Sequence, residues 1–431
     1  MLLSFRFANH RSFRDEQQLN LLPVYEGDGV QEVPVLQVAA IFGANASGKS
    51  NAITAFTYMR RMVTSSDRDS EPDTGVDRSP FRLDPEIALE PSRYVVDISL
   101  GGVRYTYGFT VDDDEVLEEW LYSYPLKRRR VVFERTGQDY RWGEESEKTP
   151  LVQLPKLTAP NVLFLTFAAR ARQELILPVY NWFLRDVRTS FQQQRLVTSR
   201  SLINYIDRLA DPTRREIIVG LVKAADLGLQ DVSLSELTDP SPEQFDLDFL
   251  SDTEAMQGFR PQRETRRVLF SHAGARGNVL LEWGEQSTGT RQLLDLALKA
   301  EQSLHSGSLL LVDEIDSSLH PVLTASLIRL FQNSAVNKSA AQLILTTHDA
   351  ILLGSIQGGE VLQRDQIWFT EKGGDGASTL FPLTDFHPRK QENRQRRYLN
   401  GSYGAIPVIS DELFVKALTS RGDMGEREED T

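Results

Sequence analysis

Cysteine is absent from all 431 residues. That excludes disulfides, thiolate zinc sites and a cysteine nucleophile. No apolar run approaches the roughly 18 residues that span a bilayer. The opening Met1-Leu2-Leu3-Ser4-Phe5-Arg6 lacks the apolar core of a signal peptide. Together these absences predict a cytoplasmic protein with no membrane partner. Positive charge is also scarce: 48 Lys and Arg stand against 61 Asp and Glu, a net charge of −13. A generic nucleic-acid coat is disfavoured, because phosphate binding needs a basic face. Local basic runs occur at residues 127–130, at Arg260, Arg263, Arg266 and Arg267, and at Arg389, Lys390, Arg394, Arg396 and Arg397. Each reads as solvated surface or as a face toward nucleic acid or an acidic partner. Sustained heptads and internal repeats are missing, which excludes a long coiled coil.

What is present is ordinary for a globular protein, with 40% hydrophobic and 25% charged residues. The length suits one large elaborated domain or two to three smaller ones. Within it, Gly43-Ala44-Asn45-Ala46-Ser47-Gly48-Lys49-Ser50 stands out. An apolar run, Val38 to Phe42, precedes it, and a pattern with Ile53, Phe56 and Val63 on one helical face follows. Strand, GxxxxGK[ST] loop and helix in that order form a phosphate-binding unit. The loop's N–H groups and the helix N-terminus attract anions. Gly43, Asn45, Gly48, Lys49, Ser50 and Asn51 are the expected nucleotide contacts. Lys49 reaches the outer phosphates, and Ser50 binds Mg²⁺.

Residues 1–42 read as β-rich, and the polar stretch 64–80 as a mobile loop. Alternation at Val96, Ile98 and Leu100, then Tyr105, Tyr107, Phe109 and Val111, predicts two strands meeting at Gly101-Gly102. A third strand is expected near residues 120–124, with Asp112-Asp113-Asp114 as an acidic turn rather than a metal site. Residues 161–235 read as helical and 238–267 as a surface insertion. A hairpin over 268–271 and 279–283, a helix over 291–304 and a strand over 308–312 complete the pattern.

Leu309-Leu310-Leu311-Val312-Asp313-Glu314 is an apolar strand ending in two carboxylates, suited to a buried parallel sheet. There Asp313 can hold Mg²⁺ through water, and Glu314 can polarise a nucleophilic water. Gln342-Leu343-Ile344-Leu345-Thr346-Thr347-His348 is a second buried strand, ending in an imidazole that can contact a terminal phosphate. Ser287-Thr288-Gly289-Thr290-Arg291-Gln292 reads either as a helix cap or as an anion-binding helix start.

With that order of elements, the chain resembles ABC-type ATPases, whose signature motif runs Ser-x-Gly-x-Gln. Ser287 and Gly289 occupy its first two fixed places. The resemblance implies an α/β fold: a P-loop ABC-type ATPase head with a β-rich N-terminal lobe and a helical lid subdomain. The corresponding divisions are 1–160 (Walker A and β-subdomain), 161–267 (helical lid) and 268–431 (signature, Walker B, D-loop and switch histidine). It implies ATP and Mg²⁺ as cofactors, Glu314 and His348 as catalytic residues, and Ser287 and Gly289 acting on a nucleotide held by another subunit. A homodimer or higher oligomer then completes the site. Ser317-Ser318-Leu319-His320-Pro321 resembles the D-loop, with His320 where aspartate is usual. Gln173 or Arg170 is the candidate Q-loop residue. Arg11 either lies beside the nucleotide, as in SMC- and RecF-type members, or is a plain surface arginine.

Residues 9–13, 120–122, 365–369 and 397–407 are similar to the AbiLi/RloA group, related to the OLD ATPases. That group implies an anti-phage abortive-infection role beside a separately encoded effector, a nuclease or toxin of TOPRIM-like or RloB type, with DNA or a phage component as further partners. The 83 residues after His348 show no strand-borne Glu followed by Asp-x-Asp, so no nuclease is expected on this chain. The alternatives are a RecF/SMC-like DNA-repair ATPase and a slow nucleotide-gated assembly scaffold.

Overall fold

The computed structural model describes residues 1–25, 35–69, 71, 74–190, 209–223, 228–236, 266–317, 319–389 and 392–406. A six-stranded sheet forms the centre. It comprises β3 (Val38–Phe42), β9 (Val187–Ser190), β13 (Leu309–Val312), β14 (Gln342–Thr347), β17 (Ile367–Lys372) and β18 (Ser378–Pro382). Their order is β18-β17-β3-β14-β13-β9, parallel throughout except for β18. Every residue of β3, β13 and β14 is buried, as a parallel sheet covered on both faces requires. The parallel strands place all their carboxyl ends on one edge.

A seven-stranded antiparallel sheet, ordered β2-β1-β4-β5-β6-β7-β8, forms the second layer. Its strands are β1 (Leu2–Ala8), β2 (Gln17–Asn20), β4 (Ser92–Leu100), β5 (Val103–Val111), β6 (Val116–Tyr124), β7 (Arg130–Thr136) and β8 (Asp139–Trp142). Strands β4 and β5 turn at Gly101-Gly102, both with positive φ, as the sequence predicts. Helix α1 (Lys49–Asp69) lies between the two sheets. Its Phe56 and Met59 pack in one core with Phe5, Phe7, Tyr94 and Phe109 of the outer sheet and with Ala39, Ile41, Leu311 and Ile344 of the central one. The alternate residues of the central strands, among them Val38, Leu310 and Leu343, face a second core with α6 (Thr288–Ser306) and α7 (Pro321–Gln332). The period-2 alternation of a strand assigns these neighbours to opposite cores.

Smaller pieces complete the molecule. Helix α2 (Pro85–Leu89) is capped by the Asp84 side chain. Helices α3 (Phe164–Arg170) and α4 (Leu177–Arg185) pack on α1. Helix α5 (Pro212–Lys223) packs against α6 and a three-stranded sheet of β10 (Leu229–Glu236), β11 (Arg266–Gly274) and β12 (Gly277–Glu282). A two-stranded ribbon, β15 (Ser355–Ile356) and β16 (Gly359–Glu360), and helix α8 (Arg394–Leu399) lie toward the end of the described chain.

One buried ion pair joins the outer sheet to α3. Arg135 and Glu119 approach to 3.6 Å with both side chains fully buried. Glu119 also accepts from the N–H groups of Phe164 (2.6 Å) and Leu165 (2.9 Å) at the start of α3, and from Tyr107 Oη (2.9 Å). Burial raises the Glu119 carboxyl even so, with Arg135 and the hydrogen bonds opposing.

Two expectations need correction. Residues 161–235 are not uniformly helical: 187–190 form edge strand β9, paired with Leu309–Val312, and β10 opens the three-stranded sheet. Four residues are too few to show a strand period, and tertiary pairing decides their conformation. The stretch 64–80 is not simply a loop. Residues 64–69 extend α1, and the buried Arg78 guanidinium binds Asp113 Oδ1 (2.7 Å) and the carbonyls of Ala88 and Glu90. The expected insertion over 238–267 falls, but for Arg266 and Arg267, outside the described residues, as do residues 191–208 and 224–227 of the expected helical stretch, Arg260, Arg263, Lys390 and residues 407–431. Among the described residues no helix is long and apolar enough to cross a membrane.

His10 links outer sheet to helix: Nδ1 lies 2.8 Å from Tyr94 Oη and Nε2 3.2 Å from Thr54 Oγ1 of α1. Burial, with a smaller push from Arg11, takes its pKa down to about 3 from an ordinary 6.5. The folded state keeps it neutral while the unfolded chain binds a proton. Stability from this group is full above pH 6.5 and declines as pH falls toward 3, by about 1.4 kcal/mol per pH unit. Urea unfolding at pH 7 and pH 5 should show a steeper acid loss for the wild type than for His10→Gln, which is itself destabilised at pH 7.

Candidate functional site

The loop 43–48 leaves β3 at the carboxyl edge of the central sheet and folds tightly onto its neighbours. A Cβ on Gly43 would stand 2.5 Å from both Ser47 Oγ and the Thr370 carbonyl oxygen. Gly48 has φ +115°, and a Cβ there would meet Ser378 Oγ at 2.7 Å and Ser12 Oγ at 3.0 Å. Side chains are thus excluded where the backbone must curl around an anion. Ser47 Oγ lies 2.7 Å from Thr370 Oγ1 of β17, fixing the loop to the next strand.

Lys49 opens α1 and is buried; its Nζ donates to the carbonyls of Gly43 (2.8 Å) and Ala44 (2.9 Å). Burial lowers its pKa, and Asp316, Glu314 and Asp313, in that order, oppose the fall. These carboxylates therefore lie within electrostatic reach of the ammonium group. Ser50 is half-buried and Asn45 exposed. Asn51 Nδ2 donates to Ser12 Oγ (2.8 Å), which also accepts from Ser378 Oγ (2.9 Å). Asn51 thus holds the 9–13 turn against the loop.

The carboxyl ends of β13 and β14 are laced together. Thr346 Oγ1 donates to Asp313 Oδ1 (2.6 Å) and accepts the Glu314 N–H (2.7 Å). Glu314 takes a left-handed φ of 50°, a conformation that costs energy for a residue with a Cβ. Its carbonyl accepts from both the N–H and the hydroxyl of Ser317 (3.1 and 2.8 Å). One turn on, Asp316 Oδ2 lies 2.7 Å from His348 Nδ1 and accepts the His348 N–H at 3.1 Å. Sequence reasoning missed Asp316 and Thr346. The available signals were an acidic residue three places after Asp313 and a hydroxyl at the end of the adjacent strand.

The structure thus gathers the Lys49 loop, Asp313, Glu314 and His348 at one sheet edge. Others lie apart. Ser287 caps α6, its Oγ accepting the Thr290 N–H at 3.1 Å. That helix start is exposed at Ser287 and half-buried at Gly289. Asp295, eight residues along α6, receives a hydrogen bond from Ser190, whose carbonyl accepts the Asp313 N–H. At 1.5 Å per residue the Ser287 end stands about 12 Å beyond that point. Arg11 is exposed with φ 52°; the adjoining Ser12 touches the loop. The Q-loop candidates are not brought to the site. Arg170 pairs with Asp67 (3.1 Å), 18 residues beyond Lys49 and so about 27 Å along α1. Gln173 bonds its own turn at Ala171. His320 caps α7 through Nδ1 and the Val322 N–H (3.3 Å); Ser318 lies outside the described residues. No cluster of three or more potential metal-ligating His, Asp or Glu occurs among the described residues.

A glycine-lined loop with a buried lysine, facing paired carboxylates across parallel strand ends, defines a P-loop ATPase of the mixed α/β class. The chain belongs to the family described as "AAA domain, putative AbiEii toxin, Type IV TA system", whose model matches residues 38–354. No curated protein matches the chain. Distant likeness extends to solved structures, of which two serve as examples. One is the SMC head domain from Thermotoga maritima (16% identity, 88% of this chain and 98% of that one, TM-score 0.40). The other is an Smc head domain with an extended coiled coil, derived from Pyrococcus furiosus and bound to the C-terminal domain of ScpA (13% identity, 90% and 97%, TM-score 0.42).

The fit of the loop can be tested at Gly43. Gly43→Ala should push a methyl group into the Thr370 backbone, costing about 1–3 kcal/mol of stability and weakening nucleotide binding. Gly284→Ala, where an added Cβ meets nothing within 4 Å, should stay within about 0.5 kcal/mol of wild type. Thermal melts and a fluorescent-nucleotide titration read both effects.

Proposed function

We propose that the chain binds and hydrolyses Mg·ATP as the switch component of an anti-phage abortive-infection system, with a separately encoded effector. The observation that carries the catalytic reading is the buried Lys49 ammonium within reach of Asp313 and Glu314 at one strand edge. The residues fit a magnesium nucleotide. The Gly43–Gly48 curl would accept the phosphates, Lys49 would exchange its two carbonyl partners for phosphate oxygens, and Ser50 and Asp313 would hold Mg²⁺, which neutralises developing phosphate charge. Thr346 fixes Asp313 in orientation. Glu314, its backbone pinned by Thr346 and Ser317, accepts a proton from the attacking water. His348 presents its ring to the terminal phosphate.

Ser287 and Gly289 belong to this reading as contributions in trans. Their helix start is accessible and stands beyond the strand edge of its own subunit, where a second copy would meet it. A dimer, or a higher oligomer built of such dimers, would then form two composite sites. Arg11 would line the same site from the 9–13 turn. Of the proposed lid, 161–267, α5 and β10 are the part that closure would carry, together with β11 and β12, which continue their sheet past residue 267, because β9 is integral to the central sheet. Differential affinity of ATP for the closed arrangement would drive the change. The defence role rests on the family description and the sequence resemblance, and the effector on the resemblance.

Two measurements test the reading. Glu314→Gln should retain ATP binding but release phosphate at least about 100-fold more slowly; an unchanged rate would remove Glu314 from catalysis. Lys49→Ala and Ser287→Ala should each be inactive alone, while a random mixture of the two regains roughly a quarter of the activity through the one intact site of each mixed dimer. Failure to complement would rule out the shared site.

A further inference from the structure

We propose that Asp316 is a positioning residue that fixes the tautomer and direction of the His348 imidazole, so that Nε2 alone faces the terminal phosphate. The inference rests on the ATPase reading above and adds a residue that reading does not use.

The geometry is asymmetric in an informative way. The Asp316 side chain is 5% exposed, the His348 side chain 61%. The ring is therefore gripped at its root and open at its tip. Asp316 Oδ2 serves two groups of the same residue, the ring Nδ1 at 2.7 Å and the main-chain N–H at 3.1 Å. Two contacts to one oxygen restrain both the backbone and the ring rotation of His348. A carboxylate facing Nδ1 requires a proton there, which leaves Nε2 as the free nitrogen.

The carboxylate is itself well placed. It sits in the Ile315–Ser317 turn, tied to Glu314 through the two Ser317 contacts. The other oxygen, Oδ1, is buried and has no hydrogen-bond partner among the described residues. A desolvated anionic oxygen without a donor is costly unless a nearby cation offsets it. The cation at hand is Lys49, for which Asp316 is the first of the three stabilising carboxylates. Asp316 thus acts electrostatically on the lysine of the phosphate loop while it holds the histidine of the neighbouring strand.

Three alternatives fail against these contacts. A purely structural Asp316 would satisfy both oxygens with donors, as Asp97 does with the Ser4 and Thr106 hydroxyls and Glu119 with the Phe164 and Leu165 N–H groups. A cation site would need further ligands, and no qualifying cluster occurs among the described residues. A helix cap gains no support, because among the described residues neither oxygen receives a hydrogen bond from an N–H group of the following turn.

The test uses the full chain with Asp316→Asn, Asp316→Ala and His348→Gln. Histidine is labelled with ¹⁵N, and His348→Gln assigns the His348 signal among the six histidines. In wild type the His348 ring should show the Nδ1–H tautomer. In Asp316→Asn it should shift toward the Nε2–H form that free imidazole prefers. ATP turnover should fall about 10- to 100-fold with KM for ATP changed less than threefold, and His348→Gln added to Asp316→Asn should cost little more. A wild-type ring already in the Nε2–H form overturns the proposal, as does a tautomer indifferent to Asp316→Asn or a double variant whose losses multiply. The wild-type tautomer is read without catalysis, so a protein that hydrolyses no ATP sinks the function proposed above while leaving this inference decided by its own signal. If Asp316→Ala fails to fold, the wild-type spectrum and the near-isosteric Asn variant still decide it.

Discussion

A desolvated ammonium group sets the terms for this molecule. Lys49 is buried at the first turn of a helix, where the helix dipole is itself unfavourable to positive charge. It is tolerated because two loop carbonyls accept its protons and three carboxylates face it across the sheet edge. Those compensations dictate the surroundings. The carbonyls are available only if the loop curls back on itself, hence the glycines. The carboxylates are near only if β13 is two strands away from β3, with β14 between them.

The flanking layers hold that edge in shape. The central sheet is clasped to the outer one by Gln342, whose side-chain amide accepts from and donates to the main chain of Leu2 (2.6 and 2.9 Å). Helix α1 fills the space between, and α6 and α7 cover the other face. Hydrogen bonds from Asn51 and Ser378 to Ser12 bring a turn of the outer layer against the phosphate loop. The site is therefore built by strands far apart in the chain, and its stiffness derives from two cores rather than from the loop itself.

Much of this was legible beforehand because it is written in short, strongly constrained stretches. Val38 to Ser50, Leu309 to Glu314 and Gln342 to His348 each show apolar continuity followed by chemistry-bearing residues, and each falls where expected. The hairpin of β11 and β12 and the Gly101-Gly102 turn were likewise readable from local pattern. What escaped notice depends on partners remote in sequence. Strand β9 is defined by its pairing with β13, Arg78 is buried because Asp113 lies near, and Asp316 gains meaning only once His348 is beside it. The Q-loop candidates misled for the same reason: Gln173 and Arg170 have suitable chemistry, but α3 packs at the distant end of α1.

The enclosed Glu119–Arg135 pair carries an evolutionary corollary. Each partner makes the other indispensable, since losing either strands an uncompensated charge in an apolar interior. Stepwise drift at these positions is obstructed, and inheritance should treat them as one unit, kept together or exchanged together for a pair of apolar residues. Because the same carboxylate also receives two main-chain N–H groups of α3, even that joint exchange must provide new acceptors, which narrows the accessible routes further.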